Sequence, residues 1–374
     1  MPLASPAPLP LPPHGRVLIV KLSAIGDVVH ALPVATALRR RYPDLEVTWA
    51  VERWVAPLLD GHPAIDRLVA FPPLRWGGAV ARWTRHLRLA AQALRRETYD
   101  VSLDLQGLLK SAVVVWLGAA PSRLAVSDAH EGAWLVSRRL PPPPEPLHVV
   151  DFNLQCALAL GATDATVDFG LAPAPHAAAA VDARLTALGL GGHAPFVVLN
   201  PSASTTWRVW SPAQWAVVAA TLAAQLPVLL VGTSAQRRTH AAIAAAAAHT
   251  GVLDLTGTTS LAELVAVLDR SALHLAGDTG SLHIAAALGR RVVGVYGPTP
   301  PWRKGPYGQL DRVVRRGDLC RALCPRVCGQ RRCLAAITPD AVLVMARRVL
   351  GEPMRLSSAG RGHGETSGDG VRVG

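Results

Sequence analysis

The chain reads as an α/β protein made of two doubly wound, Rossmann-like domains that face each other across a cleft. Three observations carry this expectation. Short β-branched runs alternate with longer stretches of helical periodicity, the pattern of α/β units around a parallel sheet. The alternation stops over residues 171–195, a stretch of Pro, Ala and Gly, and then starts again. The 374 residues exceed a typical single core, and half of them are hydrophobic, enough to fill two.

In the first half the expected strands are 16–21, 46–51, 67–71, 99–103 and 123–126, and the expected helices are 27–41, 79–97, 108–117 and 149–160. One short helix is expected inside the break. In the second half the strands are 196–200, 228–231, 273–276 and 291–296. The helices there are 212–224, 235–249, 261–269 and 281–288, followed by a last one at 339–350. The corresponding division is a flexible proline-rich leader (1–15), a first domain (16–170), a linker (171–194), a second domain (195–350) and a polar, Gly/Ser-rich, disordered tail (351–374).

The net charge of +12 and a pI near 10.5 point to an anionic partner: phosphate, nucleic acid or a lipid surface. The most apolar segment, 111–120, is too short to span a bilayer and follows Lys110, so a buried helix is expected. The leader has no basic n-region and no cleavage signature, which favours the cytoplasm. Four of the five cysteines crowd between Cys320 and Cys333, which is not a secreted disulfide framework.

Three loops carry candidate chemistry. The first runs from Lys21 to Asp27, between the first strand and first helix, where open α/β sheets gather ligands. Gly26 permits close backbone approach. Asp27 reads either as a helix N-cap or as a general base for a sugar hydroxyl, with Lys21, Ser23 and His30 beside it. The loop lacks G-x-G-x-x-G, which disfavours a dinucleotide. The second loop is Gly277 to His283. Its glycines, Thr279 and Ser281 open a helix whose free N–H groups suit a diphosphate, while Asp278 reads also as a cap and His283 as a core histidine. No G-K-[ST] follows, so ATP hydrolysis is disfavoured. The third, Asn200 to Trp210, offers Ser204, Thr205 and Arg208 for phosphate or ribose, or is an ordinary turn before Pro212. Asp-x-Asp is absent; Asp104 and Gln106 come nearest, so protein cations and a helix terminus are expected to replace a metal.

The strings VLIVKLSAIGDVVHALPVATALR, DVSLDLQGLLKSA and AGDTGSLHIAAALGRRVVGVYGPT resemble the lipopolysaccharide heptosyltransferase family, glycosyltransferase family 9, and the first is most similar to its heptosyltransferase I branch. The resemblance spans about residues 16–350. It implies a GT-B fold and inverting transfer of L-glycero-D-manno-heptose from ADP-heptose to the Kdo of Kdo-lipid A. No cofactor is implied. By motif position Asp27 is the implied base. Asp278, Thr279, Gly280 and His283 are implied donor contacts, with Ser204 and Thr205 as helpers. Arg208 stands where the family often has Lys, and Gln236 where it often has Glu for the nucleotide ribose.

Gln106 and Lys110, near a strand end, are expected to join Lys21, Ser23 and Gly26 in contacting the acceptor. Arg75, Arg82, Arg85, Arg88, Arg95 and Arg96, with Trp76 and Trp83, form either a solvated basic face or a surface for the anionic acceptor at the cytoplasmic face of the inner membrane. A nucleic-acid partner explains the charge but not two strand-end sites. A sugar-nucleotide epimerase and heptosyltransferase II are the closer rivals. Cys320, Cys324, Cys328 and Cys333 are spaced by three, three and four residues rather than as paired C-x₂-C. The preferred expectation is therefore thiols, reduced or partly bridged, bracing a peripheral loop, with a zinc cluster as the alternative.

Overall fold

A computed structural model of the chain describes residues 11–12, 14–73, 88–164, 166–192, 194–203, 205–247, 251–319 and 332–351. Strands β1 (Arg16–Val20), β2 (Glu46–Glu52), β3 (Arg67–Phe71), β4 (Val101–Asp104), β5 (Ser122–Ala125) and β6 (Arg138–Arg139) form one sheet in the order β3-β2-β1-β4-β5-β6. The second sheet contains β7 (Val197–Asn200), β8 (Val228–Leu230), β9 (Val252–Asp254), β10 (Leu273–Gly277), β11 (Val292–Tyr296) and β12 (Val313–Arg315). Read from its far edge, its order is β9-β8-β7-β10-β11-β12, so both sheets follow one doubly wound plan. Every pairing is parallel. The order reverses between β1 and β4 and again between β7 and β10, and the crevices at those two points house the site.

The strands are apolar on both faces because helices cover both. Val17 to Val20 of β1 are fully buried. Around the first sheet lie α1 (Ile25–Val29), α2 (Leu32–Arg41), α3 (88–94), α4 (Leu109–Gly118) and α5 (Val149–Ala159). The second carries α6 (Pro175–Ala187), α7 (Pro212–Ala223), α8 (Arg237–Ala246), α9 (Leu261–Arg270), α10 (Gly280–Ala287), α11 (Pro301–Lys304), α12 (Arg332–Ala335) and α13 (Pro339–Gly351). Of the apolar segment 111–120, residues 111–118 lie in α4 as the buried helix expected, with Val114 and Val115 in the core. Among the described residues no helix is long and apolar enough to cross a membrane.

The single helix expected over 27–41 is two helices. Pro33 lacks an N–H and its ring would meet the carbonyl of Val29, so α1 ends and α2 restarts with the proline in its first turn. The break turns His30 inward. The fourth strand starts two residues later than expected, at Val101; Asp100 before it bonds Arg16 twice, its N–H to the carbonyl at 2.9 Å and its carboxylate to the N–H at 2.8 Å. Edge strands β6, β9 and β12 have two or three residues each, too few to print a period on the sequence.

The halves meet where α1 packs on α10. A Cβ on Gly280 would lie 2.7 Å from Ile25 Cγ2, and one on Gly26 would lie 2.8 Å from His283 Cδ2. Backbone approach this close is open only to glycine.

Candidate active site

The first loop leaves β1 at Lys21 and enters α1, whose N-cap is Ala24 rather than Asp27. Asp27 therefore sits in the first helical turn, and its carboxylate accepts from the Ala24 N–H. Burial works to raise this carboxyl, but Lys21, Lys304 and the Ala24 bond outweigh it and hold Asp27 below the usual carboxylate range. It is ionised at neutral pH.

Four other residues expected to touch an acceptor lie behind this loop. Lys21 is buried and its ammonium is on the Leu105 carbonyl. Gln106 Oε1 accepts from the Leu22 and Ser23 N–H groups at 3.2 and 3.4 Å. Lys110 Nζ donates to Ser23 Oγ at 2.9 Å and pairs with Glu52 at 3.0 Å. Lys21, Ser23, Gln106 and Lys110 thus brace one another and the loop that carries Asp27. Asp104 is likewise committed, accepting from the Gln106 and Gly107 N–H groups. Among the described residues of the acceptor set, Gly26 alone lines the cleft.

On the opposite wall, β7 and β10 end side by side. Asn200 Nδ2 donates to Ser281 Oγ at 3.0 Å, and His274 Nε2 meets the same hydroxyl at 3.0 Å, which fixes the start of α10. Thr279 is the extended N-cap and makes no side-chain cap bond at the start of α10, where Thr279 and Gly280 line the cleft. Arg208 pairs with Asp278 at 2.8 Å and its guanidinium lies 4.5 Å from the Trp207 ring centroid. Gln236, expected near the nucleotide ribose, has its carbonyl oxygen on the Thr233 N–H at 2.8 Å, closing a local cap.

Asp27, Gly26, Arg208, Asp278, Thr279, Gly280 and His283 line one cavity of about 250 Å³. Two residues that the sequence reading missed complete it. Lys304 crosses from α11, its Nζ 3.4 Å from Asp27 Oδ1. Trp54 stands half exposed at the mouth, its indole N–H donated to Glu52 at 2.8 Å. Both follow strand ends, β11 and β2, which was the available signal. Behind the cavity His283 Nδ1 and His30 Nε2 lie 3.1 Å apart. Burial drives His283 down to about 4 against the pull of Asp278 and Asp27, and holds His30 well below its ordinary value as well.

Arg75, Ser204, Cys320, Cys324 and Cys328 lie outside the described residues, as do Arg82, Arg85, Trp76 and Trp83. Cys333 is buried on α12. Thr205 stands at the N-cap position of the turn that holds Arg208 and makes no side-chain cap bond.

A carboxylate faces a cation-lined helix terminus across a cleft, an arrangement suited to group transfer from a phosphate leaving group. The model of glycosyltransferase family 9 (heptosyltransferase) matches residues 87–328. The chain belongs to this family. It is a glycosyltransferase of the lipopolysaccharide heptosyltransferase family. Lipopolysaccharide heptosyltransferase 1 of Pseudomonas aeruginosa PAO1 is 31% identical over 84% of this transferase and 87% of the relative. Heptosyltransferase 1 of Escherichia coli K12 is 29% identical over 80% and 93%. The solved E. coli heptosyltransferase WaaC with ADP superimposes with a TM-score of 0.72 at 26% identity, over 89% of this chain and 99% of that one. Solved E. coli heptosyltransferase II gives 0.74 at 22% identity, over 90% and 98%. The transferase therefore has the GT-B fold.

Proposed function

We propose that this transferase moves L-glycero-D-manno-heptose from ADP-heptose to the Kdo of Kdo-lipid A, with inversion and without a metal. The observation that carries the reading is the Asp27 carboxylate, held ionised, in one cavity with the N-terminus of α10 and Arg208. Asp27 takes the proton of the acceptor hydroxyl as its oxygen attacks the anomeric carbon. The bond to the diphosphate breaks on the opposite face and ADP leaves. Its negative charge meets the N–H groups at Thr279–Gly280, the Arg208 guanidinium and the Lys304 ammonium, which together take the place of a metal ion. His283 and Thr205 support the donor side; Gly26 lets the acceptor come close to the loop.

The heptosyltransferase 1 relatives of Pseudomonas aeruginosa, Salmonella typhimurium and Escherichia coli, at 28–31% identity, support heptosyltransferase I chemistry over heptosyltransferase II, whose Salmonella typhimurium representative is 25% identical. The solved WaaC carries ADP, which supports ADP as the leaving group here. The net charge of +12 supports action on this lipid-anchored acceptor at the cytoplasmic face of the inner membrane.

The test is purified protein with ADP-heptose and either Kdo-lipid A or its monoheptosylated form, analysed by mass. One heptose added to Kdo-lipid A alone is the expected result. Addition only to the monoheptosylated form assigns the chain to heptosyltransferase II chemistry, and donor conversion without an acceptor assigns an epimerase.

A further inference from the structure

Among the described residues two carboxylates line the cleft, and each makes one ion pair there. Arg208 holds Asp278 at 2.8 Å, and Lys304 holds Asp27 at 3.4 Å. The two pairs differ in how firmly they are held. Asp278 is 9% exposed and its arginine is braced over Trp207, whereas the Lys304 side chain is 44% exposed and Asp27 32%. Lys304 also comes from the far half, at the end of the four-residue α11. A long, flexible ammonium with one loose partner is the group best able to move when a stronger anion arrives.

A nucleoside diphosphate seated at the start of α10 brings more negative charge than a single carboxylate, and it enters the cavity that already contains the Lys304 ammonium. We propose that Lys304 is a positioning residue that exchanges partners. It pairs with Asp27 in the empty cleft and swings to the donor diphosphate on binding, so that Asp27 becomes an effective base only in the donor complex. The proposal rests on the donor reading above.

The other groups facing Asp27 fit this role. Lys21, beneath the loop, stays on the Leu105 carbonyl and keeps the carboxylate ionised after Lys304 leaves. His30 on the α1 side and His283 from α10 are neutral by burial, so neither replaces the lost cation. Arg208 remains with Asp278. Losing one of its two cations raises the basicity of Asp27 at the moment a hydroxyl proton must be taken.

A double-mutant cycle on ADP binding, read by calorimetry, tests the exchange. Lys304→Met should weaken ADP about tenfold or more, and Lys304→Arg should restore most of that. Asp27→Asn frees Lys304 and should tighten ADP severalfold, but by much less in the Lys304→Met background, where only direct carboxylate–phosphate repulsion is relieved. The pH profiles give a second readout. The acid limb of kcat/KM for the donor should lie below that for the acceptor at saturating donor, and Lys304→Met should narrow the gap. A purely structural lysine leaves both the cycle and the gap unmoved. Equal tightening by Asp27→Asn in both backgrounds overturns the partner exchange while leaving the donor reading intact. Wild-type protein that does not bind ADP overturns the donor reading and the exchange with it.

Discussion

His30 Nε2 and His283 Nδ1 meet at 3.1 Å, one from each half of the molecule, with His148 edge-on to His30 at 5.6 Å between ring centroids. Burial holds all three below their ordinary value of 6.5, His283 at about 4. His274, buried between Val198 and Ser281, is driven to about 3. Between pH 6.5 and these folded values the unfolded chain binds more protons than the folded one. The stability these neutral imidazoles lend is therefore complete above pH 6.5 and is lost as pH falls towards 4 and below. Thermal unfolding should show Tm dropping by several degrees between pH 7 and pH 4. His283→Gln should flatten part of that slope. A slope unchanged in the variant would mean that His283 does not titrate with folding.

Gly280 tests the contact between the halves. Its missing Cβ leaves room for Ile25 at 2.7 Å, so Gly280→Ala should cost about 1–3 kcal/mol and displace α1 from α10. Gly351, at the end of α13, would place a Cβ in open space, and Gly351→Ala should be near neutral. Unfolding curves with specific activity for both variants decide this. Gly280→Ala with wild-type stability and activity would show that the two helices accommodate the methyl without consequence.

Arg208 tests the leaving-group side. Arg208→Ala should weaken ADP about 10–100-fold and slow transfer, since it removes a charge-assisted contact and leaves Asp278 without its 2.8 Å partner. Arg208→Lys should recover most of the loss but not the stacking over Trp207. Activity should also survive EDTA. Chelation that abolishes turnover, with Mg²⁺ restoring it, would contradict a metal-free mechanism.

The fold was legible because both halves print the same alternation, and because stretches such as 17–20 and 196–199 are buried on both faces and hence continuously apolar. The broken helix at His30 was signalled by Pro33, which the apolar periodicity around it masked. Asp27, Arg208, Asp278, Thr279, Gly280 and His283 could be picked out because they lie in the loops and first helical turns that follow strand ends. Within those loops the sequence does not distinguish a side chain that faces a ligand from one that holds the loop. Lys21, Ser23, Gln106 and Lys110 are near Asp27 in the chain or in the sheet, yet their partners are Leu105, Leu22 and Glu52. Those contacts depend on the register of β1 against β4 and β2. Lys304 was missed for the converse reason: 277 residues separate it from Asp27, and only the docking of the halves joins them.

The central claim is that Asp27, across the cleft from the α10 terminus, is the base in heptosyl transfer. The most direct measurement is turnover of Asp27→Asn with ADP-heptose and Kdo-lipid A, followed by product mass, alongside ADP binding and thermal unfolding of the same protein. Asn is nearly isosteric and keeps an oxygen for the Ala24 N–H, so the fold should hold. The account predicts a loss on the order of 10²–10⁴ in kcat, with ADP bound at least as tightly as by wild type. Near-normal turnover in the folded variant would contradict it and reduce Asp27 to a helix-capping residue.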